Sequence, residues 1–399
     1  MQCCAGGVHL RRAGAFFPPP FPEPQAGPQC SRASCTRPCL YNINMATKED
    51  ATDDAEKNTD KYGFLHQPTG TGSSIIASPH TTIKFDTKED TPSQLKTKIK
   101  TENGRIKKWQ HMLHPDNWLL FHKGSKKDKL KSRVRKGIPN AVRGTAWYHL
   151  SGANALQQQH SSTYYNDFQD NTRCTWKEQI LLDVDRTFPT HIMFQTMGGS
   201  GQKQLLRILC AYSLHDKQVG YCQGIGFIAA FLLTYMEEEH VFWVLVALMR
   251  NEPYNMYGLY IDGMPKTLCT MGTTQQLIML KNPKLGNHLK QLQIEGPMFM
   301  TGWIMTLFTS EFSFDYVVRF FDVYCSEGGK LLYRMIMALL FAQDQEMCEM
   351  DYVQTLKTLQ RIPSTISDVL TPDQLLKKAL LIKITTKEVR RIEKEQSKN

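Results

Sequence analysis

The chain has 399 residues, 41% of them hydrophobic and 22% charged, enough for one large domain or two ordinary ones with a sizeable core. Its 48 Lys and Arg against 38 Asp and Glu give a net charge of +10, which favours acidic partners or anionic surfaces. Zinc-finger spacing, an RNP-like aromatic–basic string and a basic-region zipper are all missing, so nucleic acid is not an expected partner.

Residues 1–91 read as a disordered region: F-F-P-P-P-F-P-E-P is followed by a polar stretch with little periodicity. Five of the eleven cysteines fall in the first 39 residues, without a C-x-x-C pair, so a zinc site there is disfavoured. The other cysteines are scattered singly, as expected for a reduced intracellular protein with buried thiols. No run reaches the roughly 18 apolar residues of a membrane span. The most apolar run, Gly224–Met236, ends at Glu237-Glu238-Glu239, and there is no clear signal-peptide core. A cytoplasmic protein is expected. Residues 92–136 form a basic lead-in, with fourteen Lys or Arg against three acids. K-G-S-K-K-D-K-L-K-S-R-V-R-K (123–136) could meet anionic lipid or serve as a nuclear signal, though a solvated lead-in helix or linker is the simpler reading. Trp109, Leu113, Trp118, Leu119 and Phe121 are expected to pack onto the domain C-terminal to them.

From Gly137 the apolar spacing becomes helical. Ser313 is a plausible N-cap for a helix carrying Phe314, Val317, Val318 and Phe321, which Gly328-Gly329 can end. Helices are expected over Gln204–Tyr212, His240–Arg250 and Lys330–Ala342, the second with Glu237-Glu238-Glu239 at its positive end. Prolines 253, 265, 283 and 297 punctuate the rest at loop positions. Alternating strands are absent, so the domain reads as all-α.

Three local patterns mislead. Gly224-x-Gly226-x-x-Ala229 has the dinucleotide spacing, but no buried strand precedes it and no βαβ rhythm surrounds it. It reads instead as a helix start whose glycines permit close packing. Gly198-Gly199-Ser200-Gly201-Gln202-Lys203 looks like a phosphate cradle without the P-loop spacing. Cys222, read as lying in an apolar helix with His215 upstream, is better explained as filler than as a nucleophile.

A constellation remains. K-G-I-P-N-A-V-R-G-T-A-W (136–147) places Arg143 and Trp147 at i, i+4. I-L-L-D-V-D-R-T-F-P (180–189) puts Arg186 at the end of a helix, three residues after Asp183, just before a Pro-directed break. V-G-Y-C-Q-G (219–224) carries Tyr221 and Gln223. Taken alone, Arg186 could simply complement the helix dipole.

Together these stretches resemble the TBC-domain family of Rab GTPase-activating proteins. R-x-x-x-W, I-x-x-D-x-x-R and Y-x-Q occur in order as Arg143…Trp147, Ile180…Asp183…Arg186 and Tyr221…Gln223. G-W-I-M-T-L-F (302–308) and R-F-F-D-V-Y-C-S-E-G (319–328) are similar to the family's downstream segments, with Ile304-Met305 where the family has Phe-Leu. The resemblance covers about Gly137 to Leu381 and implies a compact, all-α TBC domain of two helical subdomains. The organisation is then a disordered region (1–91), a basic lead-in (92–136), a TBC domain (137–381) and a charged tail (382–399).

The resemblance further implies a partner, a GTP-bound Rab-family GTPase, whose hydrolysis is stimulated by two fingers supplied in trans, in the service of vesicle trafficking. Arg186 would stabilise charge on the transferring phosphoryl group, and Gln223 would orient the attacking water. GTP and Mg²⁺ would belong to the Rab, with no cofactor of the chain's own. The chain would be an enzyme activator, with no turnover independent of its partner. Asp183 either orients Arg186 or anchors its helix to Arg143. Tyr221 either positions Gln223 or touches the partner. Arg143 and Trp147 are expected to be structural support, and Trp303, Arg319 and Asp322 fold or partner surface. The alternative is a non-catalytic Rab-binding adaptor or scaffold. Either would act in the cytoplasm, recruited to endomembranes with the Rab, the basic segment touching anionic lipid.

Overall fold

The computed structural model describes residues 59–65, 92–168 and 171–397. All of them belong to the compact unit Thr47–Asn399. The expectations for the proline-rich and cysteine-rich N-terminus, and for most of residues 1–91, lie outside the described residues. Among the described residues there are eighteen α-helices and no strand, only isolated bridges at Thr59–Leu65 and Phe64–His191. The expected all-α class is what the chain adopts.

The basic lead-in forms α1 (Pro92–Leu113), α2 (Pro115–His122) and α3 (Lys127–Lys136). Trp109, Met112, Phe121, Leu130 and Val134 are buried, so these helices are part of the packed body. Leu119, expected to pack, is 68% exposed instead, because helix α2 is too short to bury more than one stripe. Next come α4 (Asn140–Leu150), α5 (Ala153–Gln157), α6 (Lys177–Asp185), α7 (Ser200–His215), α8 (Ile225–Leu233) and α9 (Glu238–Arg250). Helix α8 is apolar on every side, and all its residues but Phe227 are buried, the mark of a central helix.

Two helices run longer than their apolar spacing implies. Helix α7 begins at Ser200 because Gln202 closes its first turn: Nε2 donates to Phe194 O at 2.9 Å and Oε1 accepts from Gly198 N at 2.8 Å. The glycine-rich stretch is therefore a helix start. Helix α9 begins at Glu238, whose carboxylate accepts from Arg207 at 2.6 Å and from the Tyr165 hydroxyl at 2.6 Å.

The second group comprises α10 (Pro265–Lys281), α11 (Pro283–Gln291), α12 (Thr301–Met305), α13 (Phe314–Glu327), α14 (Lys330–Phe341), α15 (Asp344–Met347), α16 (Tyr352–Val369), α17 (Pro372–Leu381) and α18 (Thr386–Gln396). Helix α13 follows Ser313 and ends at Gly328, whose φ is +74°. It packs against α3 and α4 on one side and α14 and α17 on the other, so it joins the two helical groups. The expected charged tail from residue 382 is instead mostly helix α18. A capping box on Thr385 and Glu388 starts it, and Val389 and Ile392 are buried where it packs on α10. Two apolar residues three apart among charged neighbours suffice to dock one face. No helix among the described residues is long and apolar enough to cross a membrane.

Candidate functional site

Arg186 is the C-cap of α6, with φ −100° and ψ 0°. Three features fix the chain around it. The Thr187 hydroxyl donates back to Asp183 O at 2.6 Å, and Thr187 N donates to Val184 O at 3.1 Å. Phe188 then turns inward with φ +47°, a conformation that costs a bulky residue about 1–3 kcal/mol and persists only where its surroundings enforce it. Those surroundings are aromatic: Phe227 lies at 5.4 Å and Phe314 at 5.2 Å from the Phe188 ring, both edge-on. With Thr187 and Phe188 buried, Arg186 is forced outward.

The Arg186 side chain is 50% exposed and paired with the Asp183 carboxylate, which is 6% exposed. The other Asp183 oxygen accepts from the Tyr221 hydroxyl at 2.6 Å. Burial, then that hydrogen bond, holds the Tyr221 phenol protonated far above its ordinary range. This buried pair ties the loop between α7 and α8 to the end of α6. Gln223 lies two residues beyond Tyr221, exposed, and its side chain makes no hydrogen bond among the described residues. Gly224, the N-cap of α8, has φ +109°, so only glycine follows Gln223 without strain. A Cβ there would also meet Met305 O at 3.1 Å.

Of the two arrangements open to Asp183, the contact made is the one to Arg186. Arg143 is engaged elsewhere. It donates from Nε to Asp322 Oδ1 at 3.2 Å, from Nη1 to Asn140 Oδ1 at 2.5 Å and from Nη2 to Ile138 O at 2.6 Å. Asp322, wholly buried, also accepts from Trp147 Nε1 at 3.1 Å, Ile138 N at 2.9 Å and Arg319 Nη1 at 3.3 Å. Burial pushes its carboxyl upward, and Arg143 with the other donors pulls it back. Trp303 is buried, its Nε1 donating to Glu311 at 3.0 Å. Trp147, Trp303 and Asp322 are thus interior groups; only Arg319 reaches towards the surface, where it also pairs with Asp373. Tyr221 is only 5% exposed, and its hydroxyl is committed to Asp183.

Cys222 lies in the loop before α8, not in a helix, because the chain must turn at Gly220–Gly224. Burial raises its thiol pKa, the wrong direction for a nucleophile, and His215 Nδ1 is occupied by the Tyr164 hydroxyl at 3.0 Å. Among the described residues no group of His, Cys, Asp and Glu is placed to hold a metal.

Two features near Arg186 carry little sequence signal. Leu182, four residues before it on α6, is 66% exposed. Residues 59–65, within the region expected to be disordered, pack on the loop after Arg186: Phe64 is buried against Phe188 and His191. The aromatic pair in D-K-Y-G-F is the one available clue.

Residues 140–348 match the sequence profile of the Rab-GTPase-TBC domain, and this span holds Arg143, Trp147, Asp183, Arg186, Tyr221 and Gln223. The human ecotropic viral integration site 5 protein homolog is 31% identical over 71% of this chain and 35% of its own length. The Drosophila melanogaster TBC1 domain family member whacked is 32% identical over 60% of this chain and 64% of its own. The chain therefore spans from about a third to under two thirds of these relatives. Among solved structures, the Chlamydomonas flagellar RabGAP TBC domain superposes with a TM-score of 0.58 at 27% identity, covering 75% of this chain and 98% of that one. The Ypt/Rab-GAP domain of Gyp1p gives 0.57 at 25% identity, covering 70% and 98%. On the sequence match and the shared fold, this chain belongs to the Rab-GTPase-TBC domain family.

Proposed function

We propose that the chain stimulates GTP hydrolysis by a GTP-bound Rab-family GTPase, with Arg186 and Gln223 supplied in trans and with vesicle trafficking as its setting. The observation that carries this is the pairing of a half-exposed arginine on a fixed helix end with an exposed glutamine that has no hydrogen bond among the described residues, joined by the buried Tyr221–Asp183 bond.

Arginine suits the role because its planar fork donates several hydrogen bonds and keeps its charge. Supplied to a GTPase it is worth roughly 10³–10⁵ in rate. The Gln223 amide can accept from the attacking water and donate to a phosphoryl oxygen. Asp183 holds the guanidinium until a nucleotide competes for it, and Tyr221 holds Asp183. Arg143 and Trp147 support the frame through Asp322. Leu182 shares a helix face with Arg186 and supplies apolar surface for the partner. The nucleotide and its Mg²⁺ belong to that partner.

A second contact involves α2 and α3. Leu119 and Leu120 are exposed and run straight into Lys123, Lys126 and Lys127, a composition suited to an anionic membrane surface. Liposome sedimentation checks it: binding should rise with anionic lipid and fall on Leu119→Asp.

The activity is tested by single-turnover GTP hydrolysis across a panel of Rab GTPases. Acceleration of at least one is expected. Binding of GTP-loaded Rabs without acceleration of any would favour the adaptor reading instead.

A further inference from the structure

We propose that residues 60–65, D-K-Y-G-F-L, are a positioning clamp on the loop that presents Arg186, so that full activity requires a segment well outside the matched domain. The inference rests on the GTPase-activating reading of Arg186.

The contacts are local and complete. Leu65 N donates to Thr190 O at 2.9 Å, and Ile192 N donates to Gly63 O at 2.9 Å. They flank the antiparallel bridge of Phe64 with His191. The loop from Thr187 to Met193 belongs to no helix, so the short N-terminal segment is its edge partner. His191 adds a side-chain bolt. Its Nδ1 accepts from Met193 N at 3.1 Å, which leaves Nε2–H to donate to Tyr62 O at 2.7 Å. Burial lowers the His191 pKa to about 4, so this neutral form is the one present at pH 7.

The clamp is shaped in advance. Asp60 Oδ1 accepts from Tyr62 N at 2.8 Å and Phe64 N at 2.9 Å, folding the segment on itself. Gly63 sits at φ +93°, and a Cβ there would lie 3.0 Å from His191 Nε2. Tyr62 donates its hydroxyl to Asp315 on α13 at 2.7 Å, and Lys61 pairs with the same carboxylate.

Phe64 is where the clamp reaches the finger. Its ring stands edge-on to Phe188 at 5.9 Å, to His191 at 4.9 Å and to Phe314 at 4.9 Å. Phe188, two residues after Arg186, holds a positive φ that only its surroundings enforce. Removing Phe64 takes away one wall of that enclosure. Phe188 can then relax, and the backbone directly behind Arg186 turns with it. Arg186 itself keeps its partner Asp183, so the loss is one of aim rather than of the arginine.

The test uses full-length protein carrying Phe64→Ala, Phe64→Leu or Gly63→Ala. Two readouts are compared: stimulated GTP hydrolysis under saturating and limiting Rab, and amide hydrogen exchange. For Phe64→Ala, kcat should fall by roughly 10–100-fold, the scale of a misplacement of about 1 Å, with the half-saturating Rab concentration within about twofold. Phe64→Leu should recover most of the loss. Exchange should quicken across residues 186–192 and not in α9. Full stimulation by Phe64→Ala, a loss seen only as weaker Rab binding, or exchange quickened evenly through the domain would each overturn the clamp. If Phe64→Ala does not fold, Gly63→Ala decides by the same criteria, since it strains the segment without emptying the core. If the wild type accelerates no GTPase, the functional reading fails by itself, and exchange across residues 186–192 in Phe64→Ala then decides whether the segment holds the loop.

Discussion

Two arginines, each in a family signature and each facing an aspartate, differ in what the fold leaves them free to do. Arg143 has all its reach committed: Nε, Nη1 and Nη2 each bond to Asp322, Asn140 or Ile138, and the guanidinium lies over the Tyr235 ring. Arg186 has one carboxylate partner and a half-exposed side chain. A buried arginine with all three nitrogens hydrogen-bonded is architecture, because moving it would strand a buried carboxylate. An arginine with a rigid base and a half-exposed guanidinium can turn towards another molecule, while the buried Asp183 it leaves keeps the Tyr221 hydroxyl as a donor.

Substitutions on the two sides should therefore separate activity from stability. The largest effect is expected from Arg186→Ala: GTPase stimulation should fall by about 10³–10⁵-fold, read by single-turnover hydrolysis, with Rab binding largely kept. Next is Asp322→Ala, which strips Arg143, Arg319, Trp147 and Ile138 N of their common acceptor. It should cost about 3–5 kcal/mol in denaturant unfolding. Gln223→Ala should lower stimulation by roughly 10²-fold, the scale of losing one well-placed amide, and leave the unfolding midpoint unchanged.

Acid should act on the frame and not on the fingers. His191 is buried and His149 partly so, and this desolvation lowers each pKa from the ordinary 6.5 to about 4. The unfolded chain therefore binds protons that the folded chain refuses between these values. The stability contributed by these histidines should fall as pH drops from about 6.5 towards 4, by roughly 1.4 kcal/mol per pH unit for each, and Asp216 and Glu327, held down against burial by Arg250 and Arg135, should add a further loss at lower pH. Urea unfolding at stepped pH checks it; a flat profile would mean that the two rings titrate alike in both states. The smallest effect is expected from Tyr221→Phe. It leaves the buried Asp183 carboxylate short of one donor, at about 1–3 kcal/mol, and should loosen Arg186 enough to lower stimulation by roughly tenfold or less.

The difference between the arginines was only partly legible in the sequence. The order and spacing of Arg143…Trp147, Asp183…Arg186 and Tyr221…Gln223 are local patterns, and the helix break at T-F-P announces that Arg186 ends an element. What separates their roles is not local. Arg143 is claimed by Asp322, 179 positions downstream, and Asp183 is turned towards Arg186 by Tyr221 from another loop. Phe188 reads as an ordinary apolar residue, yet its positive φ and its contact with Phe64 arise only from tertiary packing. Helix α18 escaped for a related reason. Its charged composition predicts a tail, and its two buried residues count only once α10 is there to receive them.

The most direct test of the central claim crosses the two arginines in one experiment: GTPase stimulation and thermal unfolding for Arg186→Ala and Arg143→Ala beside the wild type. Arg186→Ala should abolish stimulation with the smaller fall in Tm, because Asp183 keeps its Tyr221 donor, whereas Arg143→Ala should lower Tm by several degrees more. A fall in Tm for Arg186→Ala with stimulation intact would contradict the account, and would make Arg186 the structural arginine that its place at a helix end first suggests.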